Sequence, residues 1–259
     1  MKKRLQNIID KSIPAIVLAG ILVIWEFVCV LGIVPAFMLP APTDVVKAFI
    51  GDFPLLMEHT GFTLVEAMAG LAIGIILAFL TSILMDRFKM VYKALYPLLV
   101  VTQTIPTIAI APLLVLWMGY DILPKVVLVV ITSFFPITVG LLEGFKSADN
   151  DTIALMKCMG AKGLDIFKYV KLPQATPAFF SGLKISATYA MVGAVISEWL
   201  GGFYGLGVYM VRVKKSYAFD KMFAVIFLIC IVSLLLMKGV DLLQQVSMPW
   251  AKKGRKFEQ

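Results

Sequence analysis

Very few side chains in this sequence could make or break a covalent bond. His59 is the single histidine. A lone imidazole builds neither a metal site nor a nucleophilic triad, so it reads as a solvated loop residue. Cys29, Cys158 and Cys230 are odd in number and lack both C-x-x-C and Cys/His ligand spacing, so they read as filler. No G-x-x-x-x-G-K-[ST] occurs, and Gly201, Gly202, Gly205 and Gly207 follow an apolar run rather than a strand. The sequence therefore predicts no catalytic residue, no metal ligand and no cofactor held by this chain.

The chemistry that remains is that of polar groups inside apolar runs, where an ionisable side chain costs roughly 2.5–3.5 kcal/mol to insert. Glu26 falls near the middle of the first such run, as a polar lining, a proton-linked group or a helix–helix hydrogen bond. Lys184 lies about a third of the way into the fifth and either snorkels to the interface or lines a pore. Glu198 ends the fifth run, as a gate residue or an interfacial carboxylate in water; Glu66 and Glu143 read as solvated. Gln103, Thr104, Pro106, Thr107 and Pro112 interrupt the third run, and Ser133 and Pro136 repeat the theme in the fourth. Prolines release backbone carbonyls, which lipid tolerates only against protein or a cavity, so Gln103, Thr104, Pro106, Ser133 and Glu198 are the candidate lining of a translocation path. Packing kinks are the alternative. Gly70 and Gly74 form G-x-x-x-G, a close-packing face.

The elements that must position these groups follow from composition. Of 259 residues, 60% are hydrophobic and 15% charged, and the mean hydropathy is +0.92. That excludes an ordinary soluble domain and a disordered chain alike. A helix needs about 20 apolar residues to cross a bilayer. Six runs qualify: Ile13–Val34, Phe62–Met85, Leu95–Met118, Pro124–Phe145, Ala175–Leu200 and Met222–Leu243. The expectation is an all-α, polytopic membrane protein of about six transmembrane helices, forming a single domain over residues 1–259. The first run is too long for a signal peptide and no A-x-A site follows it, so it reads as a retained anchor.

The net charge is +8. In a membrane chain that excess bears on orientation, not on nucleic acid. With the N-terminus inside, 16 of the 24 Lys and Arg lie on the inner side, including Lys2, Lys3, Arg4 and Lys11 at one end and Lys252, Lys253, Arg255 and Lys256 at the other. Six lie outside, among them Arg212, Lys214 and Lys215. The asymmetry favours both termini in the cytoplasm. The stretch Gly205–Lys215 reads either as a basic outer loop or as a short interfacial or re-entrant helix.

The longest inner segment, residues 146–173, carries helical character over Asp151–Met159 and Lys162–Val170, with Gly160 and Gly163 between. Asp151 is placed to cap the first piece. Gly160 allows a tight reversal, and Leu172-Pro173 would end the second piece and open the next span. Ile153, Met156, Leu164 and Phe167 recur at helical spacing, a pattern that suits docking into a groove on another protein or lying on lipid headgroups.

Gly160, then Val170, then Leu172-Pro173 have the spacing of the second half of the "EAA" loop of binding-protein-dependent ABC transporter permeases. The opening motif is absent, since Ala154, Leu155 and Met156 stand where Glu-Ala-Ala would. Leu39-Pro40-Ala41-Pro42-Thr43, Gln103-Thr104-Ile105-Pro106 continuing to Ala111-Pro112-Leu113-Leu114, Trp117-Met118-Gly119, and Ser197-Glu198-Trp199-Leu200-Gly201-Gly202 extend the likeness over nearly the whole chain. The sequence resembles the nitrate/sulfonate/taurine subgroup of these permeases, which also includes importers of thiamine pyrimidine precursors and riboflavin.

The resemblance implies a type I ABC importer in a bacterial inner membrane, with two permease subunits, two cytoplasmic ATPases that bind ATP and Mg, and an extracytoplasmic solute-binding protein. Asp151, Ala154, Leu155, Met156, Gly160, Ala161, Phe167, Val170, Leu172 and Pro173 would belong to the ATPase-coupling loop, and Glu198 to a gate region. It implies a homodimer in the lipid bilayer, with a heterodimer still open, and leans toward a thiamine pyrimidine precursor over sulfonate, taurine, nitrate or riboflavin. A secondary transporter driven by protons or sodium is the rival class. It would want paired acidic residues at the midplane, where only Glu26 is placed.

Overall fold

The computed structural model describes residues 2–35 and 37–249, with side chains from Ile13 onward apart from Ala15. The basic residues at 252, 253, 255 and 256 therefore lie outside the described residues, as do the side chains of Lys2, Lys3, Arg4 and Lys11. Every regular element described is helical: α1 Lys2–Val30, α2 Pro42–Gly51, α3 Phe53–Arg87, α4 Lys89–Thr104, α5 Thr107–Met118, α6 Ile122–Lys146, α7 Asn150–Cys158, α8 Gly163–Ile166, α9 Leu172–Leu200, α10 Leu206–Lys215 and α11 Phe219–Ser247.

Among the described residues, four stretches are long and apolar enough to span a bilayer: α3, α6, the run Gly163–Leu200, and α11. A fifth is the pair α4 and α5, bent by 99°, and the apolar part of α1 adds a shorter helix at Ile16–Val30. The third predicted span is thus two helices. Pro106 lacks an N–H and holds φ at −59°, while Ile105 before it is extended at φ −84°, ψ 121°, so the helix cannot run through.

Two compact units are present, Met1–Glu58 with Tyr209–Leu228, and His59–Val208 with Ile229–Gln259. In the first, Pro42 opens α2 where its missing N–H costs nothing. Glu26 accepts hydrogen bonds there from Thr43 N at 3.1 Å and Thr43 Oγ1 at 2.9 Å. The carboxylate sits at the positive end of α2, which is the interhelical hydrogen-bond reading of this residue. Trp25 packs on Phe223 and Phe227, with centroids 5.7 and 6.0 Å away. Asp52, between α2 and α3, accepts from Tyr209 Oη and pairs with Lys221 Nζ at 2.8 Å.

The second unit is built on α6 against α9, and the approach depends on small residues. A Cβ on Gly182 would lie 2.4 Å from the Pro136 carbonyl, one on Gly140 2.6 Å from that of Ala178, and one on Gly144 2.5 Å from Ala175 Cα. Backbones this close interlock by dispersion, which is what holds helices together when lipid offers no hydrophobic drive. The Gly70–Gly74 pair of α3 meets Val129 and Ser133 of α6 in the same way. Ala67, Ile137, Leu141, Phe145, Ala187 and Met191 fill the core between these helices. Ile76, Leu80, Leu234 and Leu235 face outward, as lipid-facing residues must.

Candidate functional site

Three features of the second unit stand out, and the first is the segment between α6 and α9. Asp149 begins α7, its Oδ1 accepting from Asp151 N and its Oδ2 from Thr152 N and Thr152 Oγ1. Asp149, not Asp151, is therefore the cap, and the Thr152 hydroxyl foremost holds its carboxyl below the usual carboxylate range. Asp151 lies in the first turn, where its charge complements the helix dipole.

The chain reverses at Gly160, whose φ of +83° suits glycine. In α8, Asp165 Oδ2 accepts from Lys162 N at 2.9 Å. Helix does not stop at Leu172-Pro173 as the sequence predicts. A π turn over Phe167–Lys171 links α8 to α9. Its wider winding comes just ahead of Pro173, and the helix continues through the proline into α9.

This hairpin presents Leu155, Met159 and Leu164 to solvent at 62%, 77% and 82% exposure, while Ile166 and Val170 are buried beneath. Ala154 is exposed, and Met156, Ala161, Phe167 and Leu172 are half-buried. Two contacts fix the hairpin to the spans. Lys171 Nζ donates to both Asp86 oxygens at 2.7 and 2.8 Å, and Asp149 N donates to Gln174 Oε1 at 3.1 Å. Phe167 also packs against Phe145, the tilted rings 5.3 Å apart between centroids.

The second feature is a pair of cavities beside the α4–α5 break. One, of about 290 Å³, is lined by Thr102, Gln103, Pro106, Thr107, Thr132 and Tyr189 among others. The second, of about 540 Å³, extends between α6 and α9 past Pro136, Ser181 and Gly182 to Glu143. Gln103 and Tyr189 line both. Gly193 keeps the upper wall thin, since a Cβ there would lie 3.0 Å from Thr132 Oγ1.

The third is a buried polar cluster at the end where α6 begins and α9 ends. Lys125 Nζ meets Glu66 Oε1 at 2.6 Å with both side chains under a tenth exposed. Glu198, 1% exposed, contacts Thr63 Oγ1 through Oε1 at 2.7 Å and accepts from Gly207 N through Oε2 at 2.5 Å. Gly205 N donates to His59 Nδ1 at 2.9 Å and Leu206 N to Thr63 Oγ1 at 2.8 Å. These bonds tie the turn after α9 to α3. A Cβ on Gly205 would strike the Glu198 carboxylate, and its φ is +124°.

Of the candidate path residues, then, Gln103 and Pro106 share a cavity, and Thr104 is exposed with its hydroxyl on the Val101 carbonyl. Ser133 is buried against Gly74, its carbonyl accepting from Ser186 Oγ at 2.7 Å. Glu198 lies in the polar cluster. The solvated readings of His59 and Glu66 are corrected, for both are buried on one face of α3. The spacing of His59, Thr63 and Glu66, i, i+4, i+7, was the available signal for that face. Lys184 pairs with Asp241, a partner too distant in sequence for spacing to reveal.

The family described as "Binding-protein-dependent transport system inner membrane component" matches residues 70–253, which include all three features in large part. The chain belongs to this family of ABC importer permeases. The permease is 37% identical over 241 residues to the formylaminopyrimidine transport permease protein ThiX of Halalkalibacterium halodurans, covering 93% of this chain and 96% of that one. It is 35% identical over 228 residues to a probable ABC transporter permease protein of Haemophilus influenzae, covering 88% and 93%. A crystal structure of an amino acid ABC transporter with histidines shares the permease's fold at a TM-score of 0.64 and 16% identity, over 77% of this chain and 97% of that one. The permease is thus the multi-pass inner-membrane component of an importer whose ATP hydrolysis belongs to partner subunits.

Proposed function

We propose that this permease works as a homodimer with both termini in the cytoplasm, that residues 146–173 receive the ATPase stroke, and that the solute is a formylaminopyrimidine-type precursor. The observation that supports the coupling role most directly is the hairpin itself: an outward apolar edge of Leu155, Met159 and Leu164 on a base fixed by the Lys171–Asp86 ion pair. A partner that grips this edge moves α6 and α9 with it, because both ends of the hairpin are bonded to the spans. Nucleotide then shifts the permease between states only if the ATPase grips one state better. The solute assignment rests on the 37% identity to a permease named for formylaminopyrimidine transport. Gln103 and Pro106 belong to the proposed path, which runs along the two cavities toward Glu143.

The test is uptake in proteoliposomes with the partner ATPase and binding protein. Gly160→Leu forces a branched side chain onto a φ of +83° and should abolish uptake while ATP hydrolysis continues and membrane insertion is unchanged. Normal uptake by that variant would remove the coupling role. Riboflavin or taurine accumulating where formylaminopyrimidine does not would reassign the cargo.

A further inference from the structure

The two cavities share a chemistry that bears on which solutes can pass. Their joint lining includes hydroxyls of Thr102, Thr107, Thr132 and Ser181, the Gln103 amide and the Tyr189 phenol, yet no lysine, arginine or histidine. The one carboxylate along them is Glu143, at the far end of the larger cavity. Of the lysines in the helices, Lys125 pairs with Glu66, Lys171 with Asp86 and Lys184 with Asp241, while Lys146, at the end of α6, lies on the Tyr92 hydroxyl and ring and outside both linings. An anion entering this space would lose its water and meet no compensating charge, whereas a neutral ring would keep its hydrogen bonds.

Gln103 and Tyr189 are common to both cavities, so a solute moving from one to the other passes both side chains. The α4 helix has ended at Thr104, and Pro106 offers no N–H, so local carbonyls are left over as acceptors. The Gln103 amide can donate to and accept from a ring edge at once, and Tyr189, about half exposed, offers a ring face. That set matches a planar heteroaromatic amide or amine in both shape and hydrogen bonding.

We propose that Gln103 and Tyr189 form a selectivity point in the membrane, a site that accepts neutral nitrogen heteroaromatics and rejects sulfonates and other anions. This deepens the cargo reading above and rests on it only for the particular ring. The permease would then filter solute chemistry itself, in addition to whatever the binding protein selects.

Cysteine protection in the permease, without binding protein, reads this site separately from transport. With Cys29, Cys158 and Cys230 replaced by serine, Thr132→Cys gives one alkylatable thiol in the smaller cavity. Millimolar 4-aminopyrimidine should slow its alkylation severalfold, and the anion ethanesulfonate should not. Equal protection by ethanesulfonate, or none by either compound, overturns the proposal. Adding Gln103→Leu should weaken pyrimidine protection about tenfold, and adding Gln103→Lys should confer protection by ethanesulfonate. Failure of the lysine variant to admit ethanesulfonate, in protein that still inserts and gel-filters as wild type, would also overturn it. Pyrimidine protection in a transporter that imports no formylaminopyrimidine supports the filter and removes the cargo assignment.

Discussion

Lys125 and Glu66 meet at 2.6 Å with 7% and 5% of their side chains exposed. The pair joins the first turn of α6 to the N-terminal half of α3. Desolvating two charges costs several kcal/mol each, so the pair is stable only while both members are present. Lys125→Met alone should destabilise the purified permease by about 3–5 kcal/mol, and Lys125→Met with Glu66→Met should recover most of it. Thermal melting in detergent of the two single variants and the double variant checks this. A double variant no better than the singles would show that the pair contributes by some route other than mutual neutralisation.

Glu198→Ala leaves the Gly207 N–H without its acceptor in a buried setting, while the Thr63 hydroxyl keeps only the His59 carbonyl at 3.2 Å. The orphaned group costs about 1–3 kcal/mol. The turn between α9 and α10 should loosen, so limited proteolysis between residues 200 and 206 should accelerate. Glu198→Gln should stay near wild type, because the amide oxygen still accepts from Gly207. Equal cleavage of both variants would mean that the carboxylate does not hold the turn.

Asp52 has its carboxyl held below the ordinary range, first by the Lys221 ammonium and then by the Tyr209 hydroxyl. A depressed carboxylate stabilises the fold fully above its unfolded pKa near 4, and that contribution is lost as pH falls through the lower folded value. Both groups are partly exposed, so the effect is small, about 1 kcal/mol or less and a few °C. Melting temperature should fall more steeply below pH 4 in wild type than in Asp52→Asn. Parallel curves would assign the acid sensitivity to other groups.

Gly182→Ala places a methyl 2.4 Å from the Pro136 carbonyl. With backbone on both sides nothing yields cheaply, and overpacking of this kind costs about 1–3 kcal/mol. Gly163→Ala, where no neighbour lies within 4 Å, should be close to neutral. Comparable expression and melting for the two would contradict the α6–α9 packing.

What the sequence made legible followed the range of each physical rule. Hydropathy runs located the spans because lipid enforces them residue by residue. Pro106 announced the break in the third run, and Gly160 its reversal, because each acts through its own backbone. The cap moved from Asp151 to Asp149 because two acidic residues lay two positions apart and only the fold chose which was free to fold back. Pro173 misled for the opposite reason: a π turn just ahead of it relieved the constraint that the proline imposes. His59, Glu66 and Lys184 looked solvated or interfacial because their partners, Gly205, Lys125 and Asp241, are remote in sequence. That Gln103 and Tyr189 line the same two cavities was likewise invisible, since nothing in their spacing brings them to one place.

The π turn also has a mechanical consequence. From Gly163 to Leu200 the backbone is one helical stretch of 38 residues, about 57 Å at the usual rise. No loop interrupts it to absorb a push. A tilt imposed at the Gly163 end would therefore be carried along one continuous helix past Tyr189 to Leu200, so the proposed leverage and the proposed solute sieving would share one piece of backbone.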